Sequence, residues 1–173
     1  ARETGYSISF ERALASLYFK DKNFYNDPLS ELFLIEDKKE LFNDIKNQNN
    51  VNSLVQLYEK MYAGLMGYFF CRFKYFDDNI KDSLKNNIST VVNIGAGMDT
   101  RAYYINKDIN YYEIDYQEVI ENKKKAIKKI LGDVPNNVTY IGMDLSEHNI
   151  QLELQKHGYN NKLKTLFICE SVL

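Results

Sequence analysis

Proline is nearly missing from this chain, with only Pro28 and Pro135 in 173 residues. So few breakers leave long stretches able to run as helix. Cysteine is as scarce: Cys71 and Cys169 lie far apart in apolar surroundings, with neither a CxxC partner nor a metal-ligand spacing. Both are expected to be buried, reduced thiols of a cytoplasmic protein, and no metal site is expected. No apolar run approaches the ~18 residues of a membrane span, so no membrane partner is expected. The opening ARETGYSISFERA has no basic, apolar, small-residue order, and no secretion is expected. A net charge of −2 gives no electrostatic reason to expect nucleic acid. Lys123, Lys124, Lys125, Lys128 and Lys129 cluster in an expected amphipathic helix and read as a solvated face. Histidine is limited to His148 and His157. His148 reads as an exposed loop residue, and no nucleophilic triad or general base emerges, so the catalytic residues stay unassigned. No internal repeat is present, and nothing of low complexity beyond scattered asparagine.

What is there suffices for a core: 45% hydrophobic and 27% charged residues, ordinary for a globular domain. Residues 1–88 read as helical and are expected to form an amino-terminal cap or lid. Ser9–Lys20 carries Phe10, Ala13, Leu14 and Leu17 at helical spacing. Asn26-Asp27-Pro28 starts a second helix, with Pro28 near its first position. After a polar break over Asn47–Asn52, Val55–Phe73 resumes with a wide aromatic stripe. That stripe reads as core packing, or alternatively as a lid facing a substrate.

From Ser89 the period changes. Thr90–Ile94, Tyr111–Asp115, Val138–Met143 and Thr165–Cys169 read as strands, with helices at Tyr116–Leu131 and Ile150–Lys156 between them. Short apolar strands alternating with helices predict an α/β fold, a doubly wound parallel sheet in three αβα layers. Residues 89–173 would be the first half of such a domain. The last strand would leave an apolar sheet edge uncovered, which natural proteins avoid. The expectation is a longer protein cut off after the fourth strand, or a homodimer that covers the edge.

In parallel sheets ligands gather at the carboxyl ends of the strands. Here the first strand runs into Gly95-Ala96-Gly97 and Asp99, the second ends in Asp115, the third is followed by Asp144-Leu145, and the fourth by Glu170. Acids on one rim are costly unless something cationic or polar sits among them. Helix capping is the plainer reading of any one of them, Asp144 above all. Asp115 stands about 20 residues after the glycine turn, where an acid accepts ribose hydroxyls. A dinucleotide wants a third glycine, but Thr100 holds that place, and Asp99 would repel a pyrophosphate. S-adenosylmethionine carries no phosphate and bears a sulfonium and an ammonium, so an acidic rim suits it.

Val92–Tyr103, VNIGAGMDTRAY, resembles the GAGxDTRAY block of the leucine carboxyl methyltransferase family and its bacterial relatives. CRFKYFDD, YEIDYQEVIENKKKAI and TLFICESVL are similar to further blocks of that family, in the family's order, as is RALASLYFKDKNFYNDPLSELFL near the start. The resemblance implies a Rossmann-like, S-adenosylmethionine-dependent methyltransferase that releases S-adenosylhomocysteine. Carried over position by position, it implies that Arg72 binds the cofactor's carboxylate and that Gly95 sits against its methionine moiety, with Gly97 of the same turn also cofactor-binding. Asp115 would hold the ribose, Asp144 and Leu145 the adenine, and Glu170 the charged end. Asp99, Thr100 and Arg101 match the motif without a fixed role and are candidates to brace the turn. The acceptor would be a carboxylate or hydroxyl of a protein or small molecule. Two other readings stay open: a non-catalytic module that binds cofactor or partner, and a nicotinamide-dependent oxidoreductase resting on the glycine turn and Asp115 alone.

Overall fold

The computed structural model describes residues 2–106 and 108–172, with side chains from Ile8 onward. Leu173, the last residue of the TLFICESVL block, lies outside the described residues. The chain forms two compact units, residues 1–79 and 80–173.

The first unit is helical: α1 (Arg2–Tyr18), a 3-10 turn (Ser30–Phe33), α2 (Glu36–Asn47), α3 (Val51–Met61) and α4 (Leu65–Lys85), which continues past the unit's end. Phe10, Leu14, Phe42, Val55, Met66 and Phe70 pack into one core. Most of the aromatic stripe is thereby spent inward, although its Tyr62 and Tyr68 remain exposed.

Two expectations change here. Pro28 does not open a long helix. The buried carboxylate of Asp27 accepts the N–H groups of Leu29 and Ser30, both at 3.0 Å, and sets up only a 3-10 turn. Leu34 and Ile35 are then extended before α2 begins. The stretch from Val55 to Phe73 is likewise two helices. Gly64, at φ +83°, breaks it, and the Glu59 carboxylate near the end of α3 accepts N–H groups of Gly64, Met66 and Gly67 at 2.7–3.2 Å. Those donors, Gly64 foremost, hold the Glu59 carboxyl below its ordinary value.

The second unit alternates as its sequence pattern predicts: β1 (Thr90–Ile94), α5 (Arg101–Tyr104), β2 (Asn110–Asp115), α6 (Gln117–Leu131), β3 (Val138–Gly142), α7 (Ile150–Lys156) and β4 (Thr165–Cys169). The sheet is all parallel, in the order β3-β2-β1-β4. β1 lies between β2 and β4, so the chain reverses its direction of travel across the sheet there. That reversal opens a crevice at the carboxyl ends of β1 and β4.

The register puts Val92, Tyr112, Ile114 and Ile141 on one face, where Leu154 of α7 covers them. Asn93, Glu113 and Tyr140 align across the other face, toward α5 and α6. Helices on both faces make the unit a doubly wound, Rossmann-like α/β fold. β4 is an edge strand in this sheet, and its Phe167 is 53% exposed.

The cysteines differ from expectation. Both are free but exposed, Cys71 on α4 and Cys169 on the edge strand. Apolar sequence neighbours did not imply burial, because an outer helix face and a sheet edge keep alternate side chains in solvent. No described helix is long and apolar enough to cross a membrane.

Candidate functional site

The glycine turn is bonded inward, onto the end of β2. Gly95 and Ala96 both donate to the carbonyl of Ile114, at 2.8 and 3.0 Å. Gly97 donates to Asp115 Oδ2 at 2.7 Å, and the other carboxylate oxygen accepts the N–H of Tyr116, also at 2.7 Å. Gly95 and Gly97 take φ of +69° and +44°, the left-handed region that favours glycine. At Gly95 a side chain is doubly excluded, since its Cβ would overlap Val172. The turn thus delivers Asp115 to the rim with both oxygens oriented, and each oxygen has a second lone pair for a hydroxyl donor.

Beyond the turn, Asp99 is an organiser. Its Oδ1 accepts the Arg101 N–H at 2.9 Å. Its Oδ2 accepts from Asn93 Nδ2 at 3.0 Å and from the Arg101 guanidinium at 2.8 Å. Arg101 is 1% exposed, and the same NH1 donates to Glu170 Oε2 at 2.7 Å. One buried cation therefore ties the turn after β1 to the residue just beyond β4. Thr100, in the third-glycine place of a dinucleotide fingerprint, is fully buried. The helix that follows, α5, has only four residues.

At the end of β3, Asp144 Oδ1 accepts the Ser146 hydroxyl at 2.6 Å and the Ser146 N–H at 2.8 Å. Those two bonds hold its carboxyl below the usual range. Asp144 closes a turn rather than capping a helix, since Asn149 caps α7. β3 stays beside β2 to its end, where Met143 donates to the Asp115 carbonyl at 2.8 Å. Leu145 packs on the Val92 and Ile141 face. His148 is exposed, its Nδ1 3.0 Å from the Asp144 carbonyl.

Of the residues singled out from sequence, Gly95, Gly97, Asp115, Asp144, Leu145 and Glu170 all lie at the carboxyl ends of this sheet. Arg72 belongs to the first unit. There its guanidinium lies over the rings of Tyr68, Phe69 and Phe73, 5.3–5.5 Å from their centroids, and NH1 donates to the Tyr68 hydroxyl at 3.3 Å. That unit also contains an aromatic concavity of about 330 Å³ lined by Tyr18, Phe19, Phe24 and Phe70, with Lys22 and Glu59 at its wall.

A second buried network was not foreseen. Lys123 is fully buried, not solvated, with Nζ 2.8 Å from Glu113 Oε2. The Tyr103 hydroxyl donates to the same carboxylate at 2.9 Å and lies 2.7 Å from the Tyr140 hydroxyl. Burial pushes the Glu113 carboxyl up and the Lys123 ammonium opposes that. Burial, reinforced by the Glu113 charge, raises both tyrosines. The sequence signal was the spacing: Lys123 stands three residues after Ile120 and four before Ile127, on the apolar stripe of α6.

A family model described as leucine carboxyl methyltransferase matches residues 7–173. Two relatives, from Mycobacterium ulcerans (strain Agy99) and Mycobacterium marinum (strain ATCC BAA-535 / M), are each 33% identical over 105 residues. A third, from Mycobacterium tuberculosis (strain ATCC 25177 / H37Ra), is 27% identical over 104. All three carry the name S-adenosyl-L-methionine-dependent methyltransferase as a provisional designation. The matches take in 59% of this chain and 32–34% of each relative, so the chain spans about a third of the curated relatives it matches. The family model covers the helical unit, the GAGMDTR turn and the strand-end acids together. The chain belongs to the leucine carboxyl methyltransferase family.

Proposed function

We propose that the protein is an S-adenosylmethionine-dependent O-methyltransferase acting on a carboxylate or hydroxyl of a protein or small molecule. One observation carries the reading: the N–H donors of Gly95, Ala96 and Gly97 are spent inside the fold, while carboxylates stand at the strand ends. A dinucleotide's pyrophosphate needs backbone donors aimed outward from a helix start. This turn offers the reverse, and its chemistry fits a ligand with ribose hydroxyls, an ammonium and a sulfonium. Gly95 does not decide the matter, because Val172 already accounts for its missing side chain.

When bound, S-adenosylmethionine supplies a methyl group activated by a positively charged sulfur. The chain's own residues bind and orient. Asp115 accepts the two ribose hydroxyls through its remaining lone pairs. Asp144 accepts from the amino edge of adenine, and Leu145 gives the ring an apolar neighbour. Glu170 shares Arg101 with Asp99, and a carboxylate at this strand end suits a cationic group. Arg72 is assigned to the cofactor's carboxylate on family resemblance, and a guanidinium fork suits that partner. A carboxylate acceptor is already nucleophilic and needs no base, so holding the reactants in line and excluding water provide the rate.

Calorimetric titration of S-adenosylhomocysteine into the full-length protein and its Asp115→Ala variant tests the reading. The wild type binds, and the variant binds about tenfold or more weakly, as expected for losing charge-assisted hydrogen bonds. No wild-type binding at millimolar ligand, or equal binding by both proteins, overturns it.

A further inference from the structure

We infer that Arg101 is a positioning residue for Glu170, and that its contribution to cofactor binding runs through that carboxylate. The inference rests on the proposed function and goes beyond it. The resemblance gave Arg101 no role, whereas its place in the fold gives it a specific one.

Glu170 directly follows β4. The peptide just beyond it is irregular, with Ser171 at φ +58°. On its own, such a position would let a glutamate side chain sample several rotamers. Here the carboxylate is gripped at Oε2 by Arg101 NH1, 2.7 Å away, and the glutamate side chain is only 10% exposed. The same NH1 is also held by Asp99 Oδ2 at 2.8 Å. Asp99 is itself fixed by the Arg101 N–H and by Asn93 Nδ2, both on or next to the glycine turn. The chain of contacts therefore runs Asn93, Asp99, Arg101, Glu170, from β1 to just beyond β4 across the crevice where the strand order reverses.

Two consequences follow. Arg101 holds Glu170 in one orientation, so the cost of ordering that side chain is met before any ligand arrives. Arg101 also tempers the charge beside the turn, because its one cation is shared by two carboxylates. Removing the guanidinium would leave two carboxylates facing each other in a buried site. Their repulsion would drive the Glu170 side chain out of its place. Lysine keeps the charge at this place, but its tetrahedral ammonium does not reproduce the flat, rigid guanidinium that sets the one nitrogen shared by the two carboxylates.

A double-mutant cycle in the full-length protein, read by calorimetry with S-adenosylhomocysteine, tests the inference. Arg101→Met is expected to weaken binding about ten- to a hundredfold in the wild-type background. In the Glu170→Gln background it should weaken binding less than about threefold, because the residue it acts through is already gone. Arg101→Lys should recover part of the loss, and it carries the cycle with Glu170→Gln if Arg101→Met does not fold. A bracing role for the turn alone predicts the same loss in both backgrounds. Equal losses in both backgrounds, or wild-type affinity in Arg101→Met, overturn the inference. Failure of the wild type to bind at all strikes the proposed function instead, so the two failures are distinguishable.

Discussion

Replacing Lys123 by methionine removes one partner of a fully buried ion pair and leaves the other. Lys123 and Glu113 are 0% and 1% exposed, and their charged atoms are 2.8 Å apart. The methionine fills most of the lysine's volume, so the loss is electrostatic rather than a cavity. An uncompensated buried carboxylate costs about 3–5 kcal/mol, a large share of a typical domain's stability. Glu113 has a way to lower that cost, which is to take a proton. Burial already raises its carboxyl, and the lysine ammonium is what opposes the rise. In the variant the folded-state value climbs further above the unfolded one. A carboxyl raised in this way contributes stability that is full below the unfolded value and is lost as pH rises through the folded value. The deficit relative to wild type should therefore shrink on acidification, by at most about 1.4 kcal/mol per pH unit. Urea unfolding of the full-length protein at pH 5 and pH 8, followed by circular dichroism, reads this out. The double variant Lys123→Met, Glu113→Gln should recover much of the loss, since no charge is then left buried. A deficit below about 1 kcal/mol that does not change with pH would refute the reasoning, as would a double variant no better than the single.

Further outcomes follow from the same geometry. Gly95→Ala places a side chain at φ +69° and against Val172, so it should lower the melting temperature and shift the Ser171–Val172 peptide, visible as altered amide resonances. Glu59→Ala removes the acceptor for three N–H groups at the α3–α4 junction and should increase hydrogen exchange at Gly64, Met66 and Gly67. The Glu59 carboxyl is held low in the fold, so its stabilisation is present above the unfolded value and lost as pH falls through the lowered one. Protection of those three amides, taken relative to their intrinsic exchange rates, should accordingly fall on acidification. Cys71 is exposed on α4, so a thiol reagent such as dithionitrobenzoate should titrate it in the native protein; a Cys71 that reacts only after denaturation contradicts its placement.

The second unit was legible because its strands are short β-branched or aromatic runs between helical stripes. Thr90–Ile94, Ile150–Lys156 and Thr165–Cys169 fall where the pattern puts them. The helical unit was legible in type but not in its breaks. Those depend on Asp27 and Glu59 reaching backbone donors, a geometry that periodicity does not encode. At the rim, the acids could be read one by one from the strand ends. That Asp99 and Glu170 share Arg101 could not, because β1 and β4 become neighbours only through the crossovers. Lys123 was misread for the opposite reason: its lysine neighbours suggested solvent, while its spacing from Ile120 and Ile127 placed it inside.

The central claim is that the glycine turn and the strand-end acids are built for a cationic nucleoside rather than for a dinucleotide. Parallel calorimetric titrations of the full-length protein with S-adenosylhomocysteine and with NADH test it most directly. The account predicts saturable binding of S-adenosylhomocysteine and none of NADH at the same concentrations. Binding of NADH with no binding of S-adenosylhomocysteine would contradict it.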